Sequence, residues 1–133
     1  MVHQIDSTGL AEVSYREPPD KPPCQVTRQF QESNRIVVEA AVTRVFNIHR
    51  SEIRSPSRGP AQVAFARQIA MYLTHICYGL TFTTVGRLFH RDRTTVAHAC
   101  VVVEDMRDDP DFDYLLSTLE TTIRSMFGVE QQR

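Results

Sequence analysis

The stretch FTTVGRLFHRDRTTVAHAC, Phe82 to Cys100, decides how this chain folds. Phe82, Val85, Gly86 and Phe89 recur at i, i+3, i+4 and i+7, one face of a helix. Val96, Ala99, Cys100, Val103 and Met106 mark a second apolar stripe. Between them, His90, Arg91 and Asp92 leave room only for a turn. Thr81 is placed to cap the first helix and Asp92 the second, because a short side-chain oxygen there can accept a free backbone N–H. Gly86 falls on the buried stripe, where a missing side chain permits close helix approach. Two modest helices joined by a three-residue turn form a helix-turn-helix pattern. The second helix opens with polar groups, Asp92 to Thr95.

The flanks agree with a helical protein. Upstream, the spacing of Val63, Ala66, Ile69, Ala70, Leu73 and Cys77 predicts a long helix over Ala61–Tyr78. Gly79 lies just past its end, where a left-handed residue is needed. Ser55 to Pro60, SPSRGP, is a loop by composition. The preceding HRSEIRS reads as one short helical turn with Ile53 pointing inward. A further helix is expected to start at Ser33 or Asn34, with Val38, Ala41, Val42 and Val45 as its buried face. Four prolines between Pro18 and Pro23 block regular helix and predict an extended arm. Pro110 ends or kinks the helix before it. A last helix is expected over 112–127, with Phe112, Leu115, Leu116, Leu119, Ile123 and Phe127 on its apolar side. The chain therefore divides into a flexible proline-rich arm (1–32), a helix-turn-helix domain (33–109) and a C-terminal helical extension (110–133). No strand pattern or repeat interrupts the series. The expected fold is all-α, a compact multi-helix bundle.

The 133 residues suit one domain plus an arm. No run of about 18 apolar residues predicts a membrane span, and Met1–Val13 lacks the features of a secretory signal. A cytoplasmic, nucleoid-associated protein is expected. Cys24, Cys77 and Cys100 are odd in number and lack metal-ligand spacing, so neither a disulfide framework nor a metal site is expected. His98 and Cys100 lie two apart and point to different helix faces. No nucleophile, base and orienting acid can be assembled from order alone. Neither enzymatic activity nor a cofactor is expected.

The net charge of −1 conceals an uneven distribution. Residues 44–93 hold eight arginines against two acids, an excess of +6, while residues 94–133 hold three arginines against eight acids. A positive block attracts phosphates even in a chain that is acidic overall. Fourteen of the fifteen basic residues are arginine, whose planar donor fork matches phosphate oxygens and the guanine edge. In a helix-turn-helix, the start of the second helix meets base edges in the major groove. Arg93 can donate two bonds to guanine O6 and N7, Asp92 can accept from a cytosine amino group, and Thr94 offers a hydroxyl and a methyl. Arg87 and Arg91, with Thr81 and Thr84, are candidates for contacts to the DNA backbone. Blander roles also fit: Asp92 as an N-cap only, Thr95 bonded within the first turn, and the polar helix face as solvated surface.

VAFARQIAMYLTH followed by VGRLFHRDRTTVAHAC closely resembles the C-terminal DNA-binding domain, domain IV, of the bacterial replication initiator DnaA. That family carries an ARQIAMYL-type helix, an IG-containing helix and a GGRDHTTV-type signature. IVVEAAVTRVFNIHRSEIRS is similar to its opening segment, so the resemblance covers about residues 35 to 107. It implies a DnaA domain IV-like, Trp-repressor-like bundle that recognises double-stranded DNA at short asymmetric sites, with an arginine from a basic loop in the minor groove. On the matched positions, Asp92, Arg93 and Thr94 read bases, Thr95 supports a backbone or base contact, and Arg91 and Arg67 are basic contacts. Three departures matter. His90 alone stands where the family has two glycines. Arg93 replaces its histidine. Gly59 aligns with the minor-groove arginine, leaving Arg58 one position away.

The initiator carries an ATPase module before this domain, whereas here about 30 residues precede the first helix and no GxxxxGK[ST] loop is found. The expected function is thus a small transcriptional regulator that binds duplex DNA. Alternatives are an accessory factor or competitor in DnaA-dependent replication initiation, and a protein-interaction module that has lost DNA binding. Beyond DNA, a second copy of the chain or a replication or transcription protein is a possible partner.

Overall fold

The computed structural model describes residues 25–126, which form six helices and no strand. The proline-rich segment and Phe127 lie outside the described residues. Helix α1 runs Gln25–Phe46, α2 Arg50–Ile53, α3 Ala61–Tyr78, α4 Phe82–Phe89, α5 Arg93–Met106 and α6 Pro110–Met126.

Helix α3 is the hub, packing against each of the other five. Its predicted stripe is buried throughout, from Val63 to Cys77. Met71 and Tyr72 are buried as well, so α3 hides more than one face, as expected of a helix surrounded by others. Gly79 closes it in the left-handed conformation, at φ 64° and ψ 32°. Val38 and Val42 of α1, Val85 and Leu88 of α4, Val96, Ala99 and Val103 of α5, and Leu116 and Ile123 of α6 complete one core. Helix α6 therefore shares the same core as the helix-turn-helix.

Several sequence expectations are corrected. Helix α1 begins at Gln25, eight residues before Ser33, so Ser33 and Asn34 lie inside it and cap nothing. Polar residues made this half of α1 look like a helix boundary. Next to them, Arg35 donates to the buried Glu39 at 2.7 Å and pairs with the more exposed Glu32 at 2.8 Å, ion pairs within the helix itself. Arg50 approaches the other Glu39 oxygen at 3.6 Å, tying α2 to α1. Val45 and Met106 were expected in the core but are 45% and 40% exposed. Each lies in the last turn of its helix, where the periodicity runs past the neighbours that could cover it. Pro110 does not disturb α5, which has ended at Met106. It is the first residue of α6, where a missing N–H costs nothing, and the Asp109 side chain accepts from the amide of Asp111 at 3.1 Å.

Arg107 fastens α6 to the rest. Its guanidinium donates to Asp113 at 2.6 Å, Glu120 at 2.7 Å, Ser117 at 2.9 Å and the Tyr72 hydroxyl at 2.9 Å. Tyr72 in turn donates to Glu104. One side chain thus binds α3, α5 and α6 through charge-assisted bonds, the stronger class.

Candidate nucleic-acid interface

Helices α4 and α5 form the expected helix-turn-helix. Thr81 accepts from the backbone N–H of Thr84 at 3.1 Å, which starts α4. The end of α3 supports this start: His75 Nδ1 lies 2.6 Å from the Leu80 carbonyl oxygen, and its ring is 4.6 Å from that of Phe82. His90 ends α4 in the left-handed region, at φ 58° and ψ 45°. The chain reverses there, and the Arg91 amide donates to Gly86 O at 2.8 Å. Gly86 is required sterically. A Cβ on it would lie 2.5 Å from the Arg91 carbonyl oxygen, a backbone atom that cannot step aside.

Asp92 occupies the N-cap position of α5, but its side chain makes no capping bond. It accepts instead from the Thr94 hydroxyl at 3.0 Å, on the outside of the helix. Asp92, Arg93, Thr94 and Thr95 are all exposed, while Val96, Ala99, Cys100 and Val103 behind them are buried. The core thus holds the helix and leaves its polar start facing solvent. His98, one turn beyond Thr94, and Val101, 58% exposed, continue the same outward face. The helical period is the signal that places both on this face.

The basic residues divide into two groups. Arg58 and Arg87 are exposed. Arg91 is half-buried, and its guanidinium donates to Ser55 O at 2.9 Å, joining the turn to the α2–α3 loop. Arg67, expected to touch DNA, does not reach the surface. It is 4% exposed, and it donates to the carbonyls of Ile53 at 2.8 Å, Glu52 at 2.9 Å and Arg58 at 3.2 Å. Burial first, then the charges of Arg91 and Arg58, push its pKa below the ordinary arginine value. Arg67 is an internal strut for the loop that carries Arg58. Thr84 is also corrected: it is buried within α4, beneath the Thr81 cap. Gly59 adopts φ 73° beside Arg58, so a residue with a side chain would be strained there.

Thr83 was missed by the sequence reading. Its hydroxyl accepts from Arg93 Nε at 3.3 Å, across ten residues. Periodicity within one helix carries no sign of a contact between two helices.

Among the described residues no group of three potential metal ligands is found, and no helix is long and apolar enough to cross a membrane.

Known proteins share this arrangement. Residues 37–103 match the family model described as the bacterial DnaA protein helix-turn-helix. The chain is 37% identical over 86 residues to the chromosomal replication initiator protein DnaA of Lachnoclostridium phytofermentans, a match spanning 63% of this chain and 18% of that protein. It is 42% identical over 67 residues to the protein of the same name from Bifidobacterium animalis subsp. lactis, spanning 50% and 11% respectively. A crystal structure of a DNA replication initiation factor superposes with a TM-score of 0.69 at 25% identity, over 77% of this chain and 32% of the other. The chain thus spans less than a fifth of the length of these two relatives. The matched segment contains the turn, the glycine contact beneath it and the exposed start of α5, and the chain belongs to the bacterial DnaA helix-turn-helix family.

Proposed function

We propose that this protein binds specific sites in double-stranded DNA, with α5 in the major groove, and acts there as a small bacterial transcriptional regulator. One observation carries the reading: Asp92, Arg93 and Thr94 stand side by side on the exposed start of a helix whose opposite face is locked in the core. Arg93 reads a guanine through paired donors, Asp92 accepts from a cytosine amino group, and Thr94 meets a thymine methyl. Arg58 and Arg87, both exposed, and Arg91 in the turn supply phosphate or groove contacts, which set position without carrying sequence. Thr81 and Thr95 contribute through the helix starts they border.

The role as a regulator rests on the residues that differ from the family signature. Arg93 in place of histidine, and one residue in place of two glycines at the turn, alter both the reading group and its approach. A changed site preference suits action at promoters. A second reading, an accessory or competitor in replication initiation, is favoured by the replication initiators among its relatives. The reading assigns the protein no catalytic step and places it at the nucleoid.

Selection of bound fragments from a random duplex pool tests the proposal. An enriched motif is expected, and its likeness to the initiator's own site decides between the two readings. Arg93→Ala should then cost roughly 1–3 kcal/mol on the selected site and relax preference at one base pair. Equal losses on selected and random duplexes would refute base reading by Arg93. No enrichment, with no salt-sensitive binding, would leave a protein-interaction module in its place.

A further inference from the structure

We propose that Arg91 is a positioning residue that fastens the α2–α3 loop to the turn before α5, so that Arg58 and the start of α5 meet duplex DNA at one fixed spacing. This inference rests on the reading of Arg58 and α5 as DNA contacts. Arg91 is anchored at its main chain, since its amide donates to Gly86 O at 2.8 Å and a Cβ on Gly86 would press on its carbonyl oxygen. Its half-buried side chain folds back across the end of α4, where one terminal nitrogen donates to Phe89 O at 3.3 Å and His90 O at 3.4 Å. The other terminal nitrogen donates to Ser55 O at 2.9 Å, 36 residues away in sequence. Ser55 lies between the points that Arg67 holds, the carbonyls of Glu52 and Ile53 on one side and of Arg58 on the other. Arg67 thus ties the loop to α3, and Arg91 ties its middle to the helix-turn-helix.

The exposed Arg58 side chain leaves this same loop shortly after Ser55. The charges of Arg91 and Arg58 both act on the buried Arg67, so three cations gather round one loop. They repel one another, and bonds to main-chain carbonyls hold them in place. A cation on a mobile loop would lose entropy on settling against DNA. A loop already fixed to the turn avoids that cost and offers Arg58 at a set distance from the start of α5. Sites whose groove geometry matches that distance gain affinity, and others do not. Arginine suits the bracket because its planar fork of donors reaches several carbonyls at once, whereas a lysine presents a single point charge.

The test uses the full chain and the duplex enriched from the random pool. Fluorescence anisotropy compares the parent, Arg58→Ala, Arg91→Ala and the double variant, each below its melting midpoint. A phosphate contact made by Arg91 itself adds to that of Arg58, whereas a positioning role does not. Arg58→Ala should weaken binding, and Arg91→Ala should cost about three- to tenfold less in the Arg58→Ala background than in the parent. Arg91→Lys keeps the charge but not the fork, so it should recover little of the Arg58-dependent affinity. In the free protein, amide NMR relaxation should show Ser57, Arg58 and Gly59 more mobile in Arg91→Ala and Arg91→Lys than in the parent. Additive losses, no effect of Arg58→Ala, full recovery by Arg91→Lys, or equal loop mobility would overturn the inference while leaving base reading by α5 intact. If the unaltered protein enriches no motif, the proposed function fails first and this inference falls with it.

Discussion

Arg67→Met separates an internal strut from a DNA contact. Methionine keeps most of the length and apolar stem but removes all the donors. The guanidinium now serves three carbonyls, those of Glu52, Ile53 and Arg58, from a position 4% exposed. Hydrogen bonds from a charged group contribute about 1.5–3 kcal/mol each, and buried carbonyls left unpaired cost about 1–3 kcal/mol each. These figures overlap, and the variant also relieves the repulsion of Arg67 by Arg91 and Arg58. A net loss of about 3 kcal/mol follows. For a domain of roughly 100 residues, about 4–8 °C is lost per kcal/mol, so the midpoint should fall by about 15 °C. Thermal unfolding by circular dichroism measures the fall. Fluorescence anisotropy against duplex DNA at several salt concentrations measures the other side. Below its lowered midpoint, the variant should keep the salt slope of the parent, because it has lost no phosphate contact. An unchanged midpoint together with a slope reduced by about one charge would refute the structural assignment and restore Arg67 as a DNA contact.

Gly86→Ala should destabilise the fold by about 1–3 kcal/mol, since a Cβ 2.5 Å from Arg91 O forces the two helices apart; a melt unchanged within 1 °C would contradict this. His90→Gly should be neutral or stabilising by up to about 1 kcal/mol, because glycine adopts the left-handed conformation freely but enters folding with more chain entropy. A clear loss would mean that the imidazole itself holds the turn. Burial pushes the Cys77 thiol up to about 11 and the Cys100 thiol up to about 12. Iodoacetamide should therefore label both slowly at pH 8, and quickly once denaturant is added. The same shifts have a fixed sign. Unfolded thiols ionise near pH 8.5 and folded ones only above 11, so this contribution to stability is complete below about pH 8 and declines as pH rises towards 12. Urea midpoints at pH 8 and pH 10.5 should differ in that direction, and a higher midpoint at pH 10.5 would contradict it.

Where a helix has one buried face and a clear stop, its residues could be read from the chain alone. Helix α3 occupies the predicted Ala61–Tyr78, and Gly79 closes it as expected. The turn at His90 and the exposed start of α5 were equally legible, because the apolar stripes on both sides leave one orientation. What escaped depends on polar side-chain pairing, which the apolar periodicity does not register. Arg35 and Glu39 make an ionic group buried within α1, so a polar stretch that looked like a boundary is helix interior. Arg67 resembles a surface cation until three carbonyls from the preceding loop surround it. Thr83 is unremarkable until Arg93 folds back onto it.

The backbone contact beneath the turn has an implication for how such a protein could diversify. Because α4 and α5 meet through Gly86 and the Arg91 carbonyl, the pose of α5 is inherited from main-chain atoms and from the bundle behind them. Exchanging outward side chains such as Arg93, Thr94 or His98 leaves that pose untouched. New preferences can therefore arise by single replacements on a frame that does not have to be re-solved each time.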